Sequence, residues 1–229
     1  MRATLASYNI HRCIGREGQF DPARILQILD ELQADVVALQ EIENFWHGGL
    51  EILEYFASNL GYEVITGPTM FRKTGHYGNA VLTRLEVIEV ERMDLSVRGG
   101  EPRGALYVDV NYNGVRLNTV STHLGLRSLE RRFQIHHILS HLHTFDPQQP
   151  VVLLGDINEW WPWSRVLRSL HARLGKPPSP ATFPAHIPLL SLDRIWVWPR
   201  HSLISLTTHK SKLAKEASDH LPIKAVIEC

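Results

Sequence analysis

Short β-branched runs, a strand–helix opening and a hairpin signal in the middle of the chain together predict an α/β protein, with two packed sheets and helices outside them. The apolar runs Leu5–Ile10, Val36–Leu39, Val81–Leu82, Leu106–Val110, Leu117–Val120, Val151–Leu154, Ile195–Val197 and Ile223–Ile227 have strand length and composition. Several are apolar at consecutive positions, as expected of strands covered on both faces. Asn111-Tyr112-Asn113-Gly114 divides two of the runs, and Asn113-Gly114 favours a tight primed turn. A hairpin-rich centre argues against an all-parallel doubly wound sheet.

Taken in order, the first run carries Tyr8-Asn9-Ile10-His11 at its end. A helical period follows over 22–33, where Asp21 can accept from free N–H groups and Pro22 occupies the first helical position, which needs no N–H. The second run ends in Leu39-Gln40-Glu41, and helical periods recur at 49–60, 128–144 and 163–172. Thr122-His123-Leu124 closes the run before the third helix, and Gly155-Asp156-Ile157-Asn158 closes the run after it. Ser218-Asp219-His220-Leu221-Pro222 precedes the last run. Lys176-Pro177-Pro178-Ser179-Pro180 reads as a surface loop, and with no repeat or linker the 229 residues are expected to form a single domain over 1–229.

Composition narrows the function classes. No apolar run approaches the roughly 20 residues that span a bilayer, so a membrane-spanning protein is not expected. The N-terminus passes directly into the first motif without a signal-like segment, and Cys13 and Cys229 are too few for a disulfide framework. A cytoplasmic monomer is the expectation. With 24 basic and 24 acidic residues the chain lacks the basic surplus of strong nonspecific nucleic-acid binders. Arg72-Lys73, Arg131-Arg132 and Lys210 through Lys215 read as solvated surface charge.

The motifs place carboxylates and proton-handling groups at strand ends, the equipment of metal-assisted phosphoryl chemistry. Glu41 is the first candidate for holding Mg²⁺, a hard cation that takes one or two carboxylates and keeps several waters; Asn9 and Asp219 are next. Asp156 and Asn158, two apart on an extended segment, leave from one face and can address one water or phosphate. His220 needs a carboxylate to fix its tautomer, and such a partner would raise its pKa and suit it to clamp phosphate. Arg103 could offer a two-pronged fork to phosphate oxygens.

These motifs occur in the order found in the endonuclease/exonuclease/phosphatase superfamily, which the chain resembles from Tyr8 to Pro222. The resemblance implies a four-layer α/β sandwich of the DNase I type and a Mg²⁺-dependent phosphohydrolase, with Mn²⁺ able to substitute. It assigns Asn9, Glu41 and Asp219 to the ion, Asp156 to activating water, Asn158 to the phosphoryl oxygen or nucleophile, and Asp193 to holding His220. It gives His123 the task of stabilising phosphate or protonating the leaving oxygen, and abasic-site endonucleases carry Tyr at that station. Arg103 and Asn79 are the expected phosphate contacts, Asn79 alternatively meeting His123. A phosphodiester of a small molecule, a lipid or a nucleic acid is the expected substrate. A DNase I-like nuclease is the alternative, and a catalytically inactive binding module of the same fold the remote one. Recognition is expected in loops 69–77, 97–103 and 159–163, with Trp160 or Trp161 at the leaving-group rim. His136, His137, His141 and His143 read as a partly exposed helix face without an acidic third zinc ligand, and His11 as a structural residue or one that reaches the pocket.

Overall fold

The structure, a computed structural model, describes residues 2–146 and 148–228. Cys229 lies outside them, and Cys13 is a buried free thiol. In the first half of the chain come β1 (Arg2–Asn9), α1 (Pro22–Leu32), β2 (Val36–His47), β3 (Leu50–Glu51), α2 (Ile52–Leu60), β4 (Glu63–Arg72), β5 (Gly75–Thr83) and β6 (Glu86–Asp94). Then follow β7 (Gly104–Tyr112), β8 (Val115–His123), α3 (Ser128–Leu142), β9 (Val151–Asp156), α4 (Arg165–Leu174), β10 (Asp193–Trp198), β11 (Leu203–Thr208), α5 (Ala214–Ala217) and β12 (Ile223–Glu228).

Two mixed sheets form. One runs β11-β12-β1-β2-β5-β4 with β3 paired to β2; the other runs β10-β9-β8-β7-β6. Alternation along each strand divides the core into three layers, because successive side chains leave opposite faces. Leu5, Val36, Val108, Leu154, Ile223, Ala225 and Ile227 fill the space between the sheets. Tyr8, Leu39 and Leu82 face the other way, onto Ile25, Ile28 and Leu29 of α1 and Phe56 of α2. Tyr107, Val120 and Leu153 pack on Ile135 and Ile138 of α3 and Leu167 and Leu170 of α4. The expected four-layer sandwich is therefore the observed one.

Local signals act as the sequence implies. Asp21 accepts from Ala23 N at 3.0 Å and Arg24 N at 3.2 Å, capping α1 ahead of Pro22. Asn113 and Gly114 both have positive φ, 52° and 87°, and connect the β7–β8 hairpin in two residues. The differences fall at the margins. β4, β6 and β11 lie at sheet edges and lack an apolar run because each is partly open to solvent, whereas β10, also an edge strand, is covered and keeps its run. Segment 69–77, expected as a recognition loop, belongs mostly to the β4–β5 hairpin. Helix 49–60 begins only at Ile52, since Leu50 and Glu51 pair with the end of β2.

Candidate active site

Two crossovers assemble the site. β1-α1-β2 and β8-α3-β9 are the parallel pairs, and groups beyond the carboxyl ends of parallel strands are placed to meet ligands. Register sets Asn9 beside Gln40 in one sheet and His123 beside Asp156 in the other. A hydrogen bond joins the sheets: Asn9 Nδ2 donates to Asp156 Oδ2 at 3.1 Å and also to Glu41 Oε1 at 3.0 Å.

Backbone irregularities aim the side chains. β2 does not stop at Glu41 but continues to His47, and its register against β5 slips between Leu39 and Ile42. Glu41 sits in this bulge with φ of 57°, a conformation that re-aims a side chain at some cost in strain. Gln40 turns inward and accepts from Ser7 Oγ at 3.2 Å, while Glu41 lines the cavity. Gly155 has φ of 147°, and a Cβ there would lie 1.9 Å from the Thr122 carbonyl oxygen. Only glycine lets β9 approach β8 closely enough to set Asp156 against His123.

Asp156 is 1% exposed and lies at the centre of the cluster. Its Oδ1 accepts from the Asn158 backbone N–H at 2.9 Å, and its Oδ2 is 3.6 Å from His123 Nε2 and 3.7 Å from His220 Nε2. Asp193, fully buried, accepts from His220 Nδ1 at 2.8 Å. Burial alone would lower the pKa of His220, but Asp193 and then Asp156 raise it to about 10. His220 is consequently an imidazolium at neutral pH.

His123 has the opposite setting. Burial, opposed by Asp156 and reinforced by Arg103 and His220, lowers its pKa to about 3. Both ring nitrogens face donors, Arg103 Nη1 at 3.1 Å from Nδ1 and Asn158 Nδ2 at 3.0 Å from Nε2. Arginine keeps its proton, so Nδ1 accepts and the neutral ring carries its N–H on Nε2, which requires the Asn158 amide to turn or the N–H to favour Asp156. The expected task of protonating a leaving oxygen is at odds with this neutral ring; donating an N–H to a phosphate oxygen is compatible with it.

The other expected residues divide. Arg103, 6% exposed, lines the cavity but also pairs with Glu101 at 3.0 Å. Asn158 has φ of 52° and ties its amide to the Leu124 carbonyl at 2.9 Å. Asp219 lines the cavity with a half-exposed carboxylate 3.9 Å from His11 Nδ1. Asn79 instead donates to the Gly104 carbonyl at 3.2 Å and is not among the cavity-lining residues, so it braces the strand that follows Arg103. Arg131 is not a surface cation: it is buried and bonds Glu159 at 3.3 Å. Trp160 lines the cavity, whereas Trp161 and Trp163 face a neighbouring hollow.

The cavity encloses about 430 Å³. Sequence reasoning missed Arg12 and Phe183 in its wall, and segment 69–77 does supply Met70, Arg72 and Tyr77. Arg12 arrives on a turn in which His11, Arg12 and Cys13 all have positive φ, without a glycine to signal it. Phe183 packs its ring 4.9 Å from that of His220.

Asp156, Asp193 and His220 offer ligand atoms within 4.8 Å of one another and form a group that could hold a metal ion. Glu41 and Asp219 also face the cavity and, with the Asn9 amide, are a second set of oxygen groups that could hold a hard divalent cation. Asn9 now turns its nitrogen to the two carboxylates and its Oδ1 to the His11 N–H at 3.1 Å, so ligation through that oxygen requires its amide to turn.

Comparisons with known proteins agree with this architecture. The Escherichia coli K12 protein YbhP, itself uncharacterized, is 30% identical over 219 residues, covering 86% of this chain and 84% of its own. An endonuclease/exonuclease/phosphatase from Bacteroides vulgatus superposes with a TM-score of 0.81 at 19% identity, covering 100% of this chain and 99% of the other. The mannosyl-6-phosphatase Bt3783 of Bacteroides thetaiotaomicron gives 0.76 at 17% identity, with 99% and 100% covered. The sequence pattern of the Endonuclease/Exonuclease/phosphatase family matches residues 6–220, and the chain belongs to that family of phosphoester hydrolases.

Proposed function

We propose that this protein is a phosphodiesterase that uses Mg²⁺, with Mn²⁺ able to replace it, on a small-molecule or lipid phosphoester. The observation that supports this reading most is the meeting of Asn9, Glu41, Asp156 and the His220–Asp193 pair around one cavity. Glu41, Asn9 and Asp219 would hold the cation, which would supply charge neutralisation for the phosphoryl group. The chain's own residues do the rest. Asp156, anchored by the Asn158 backbone N–H, orients and deprotonates the attacking water. The His220 imidazolium contributes a fixed positive charge against phosphate oxygens, while Asn158 and the neutral His123 donate N–H groups. Leu126, Trp160 and Phe183 give the cavity an apolar wall where a second ester arm can rest, which favours a diester over a bare monoester.

A nuclease is the second reading, favoured by Arg12 and Arg72 at the same cavity. One experiment addresses both. Purified protein is offered DNA, RNA, phospholipids and inositol phosphates in Mg²⁺, and KM for the best substrate is followed against salt. Turnover of a compact ester with a shallow salt response is expected, because few counterions are released. DNA nicking with a steep salt slope would establish the nuclease, and no turnover of any ester in Mg²⁺ or Mn²⁺ would overturn both.

A further inference from the structure

Beside the candidate catalytic cavity lies a hollow of about 570 Å³ lined by Leu126, Arg132, Trp160, Trp161, Trp163 and Arg168. Leu126 and Trp160 belong to both hollows, so one surface continues into the other. Its apolar side chains are unusually open, Leu126 being 71% exposed, Trp161 61% and Trp163 68%, and Leu129, three positions beyond Leu126, is 73% exposed. They come from two segments, 126–133 and 160–168, whose exposed charges are all arginines, Arg127, Arg132, Arg165 and Arg168. The acids nearby, Glu130 and Glu159, are buried, and Glu159 is neutralised by Arg131. A chain of zero net charge has thus gathered cations and exposed indoles on one face.

We propose that this face docks on anionic phospholipid bilayers and brings the catalytic cavity to the membrane surface. This deepens the lipid branch of the proposed function and rests on it only for its purpose, since binding can be read without turnover. Indole rings favour the interface between headgroups and acyl chains, and arginines meet anionic headgroups. The open Leu126 and Leu129 decide between bilayer and single-stranded nucleic acid: base stacking rewards aromatic and guanidinium planes, whereas aliphatic side chains gain by entering acyl chains. Trp161 and Trp163, with ring centroids 5.6 Å apart, would enter together.

The test is co-sedimentation of the full chain with vesicles of phosphatidylcholine alone or with roughly one third phosphatidylglycerol, in Mg²⁺ and again in chelator, with indole emission recorded. Expected are binding to the anionic vesicles in both media, a blue shift, and weakening by salt. Trp161→Ser with Trp163→Ser should reduce vesicle affinity at least about tenfold while leaving hydrolysis of a soluble nitrophenyl diester unchanged. Arg165→Glu with Arg168→Glu should abolish the preference for anionic lipid. No binding to anionic vesicles, or equal binding by the tryptophan variant, overturns the proposal; so does indole quenching by single-stranded DNA without vesicle binding. Vesicle binding without hydrolysis of any ester would sink the enzymatic reading and leave the docking surface standing.

Discussion

Replacing Asp193 by Asn keeps the size and the acceptor oxygen facing His220 but removes the charge. In the native site His220 is raised to about 10 against an ordinary value of 6.5, which corresponds to the site as a whole, burial and carboxylates together, favouring the charged ring by on the order of 5 kcal/mol. Asp193 is the largest favourable contribution, so without it the balance moves toward burial and the ring is expected to lose its proton at lower pH than in the native site. The basic limb of the kcat profile, near pH 10 in the native protein, should then move to lower pH. At mildly alkaline pH the rate should fall on the order of 10²-fold, the cost of removing one positioned electrostatic contact. Stability should follow. A raised folded-state pKa contributes fully below the unfolded value and is lost as pH rises through about 10, so wild-type urea midpoints should decline across that window and the variant's should not. Imidazole NMR titration reports His220 without turnover. A titration midpoint that stays near 10 in Asp193→Asn would refute the reasoning.

Three further outcomes are expected. Chelator should abolish turnover and Mg²⁺ or Mn²⁺ restore it, while Glu41→Gln should raise the metal concentration needed for half-activity without moving the thermal midpoint by more than a few degrees; undiminished turnover in excess chelator would contradict this. Asp156→Ala should lower kcat on the order of 10²-fold or more, and a change confined to KM would reassign Asp156 to substrate binding. Because His123 is neutral in the folded protein, His123→Ala should cost similar factors on a natural diester and on a nitrophenyl diester; a much larger loss on the natural diester would show that it protonates the leaving oxygen.

The parts of the molecule that could be read from sequence are those whose environment leaves a mark on residue type. Strands buried on both faces, such as β9 with Val151 to Leu154, must be apolar, and they were legible. Strands open to water, such as β6 with Glu86, Glu89 and Glu91, carry no such mark. The site divides in the same way. Asp156, His123 and Glu41 end or interrupt apolar runs and stand out, whereas Arg12 reaches the cavity through a left-handed turn of ordinary residues. The state of His123 was illegible because it depends first on burial between the sheet and its loops, then on Asp156 and on Arg103, twenty positions away and brought close by the β7–β8 pairing.

The Asn9–Asp156 hydrogen bond spans 147 positions of chain and crosses from one sheet to the other. The proposed reaction centre is therefore a seam, and its width is set by the layer of Leu5, Val36, Val108, Leu154 and Ile195 between the sheets. A close-packed interior transmits a change of volume to its boundaries. Trimming a side chain in that layer, at about 2–5 kcal/mol for a leucine reduced to alanine, would let the two sheets resettle and detune the seam from behind. Catalytic tuning in this fold can accordingly arise from residues that never meet the substrate, leaving the loops around the cavity free to change what is recognised.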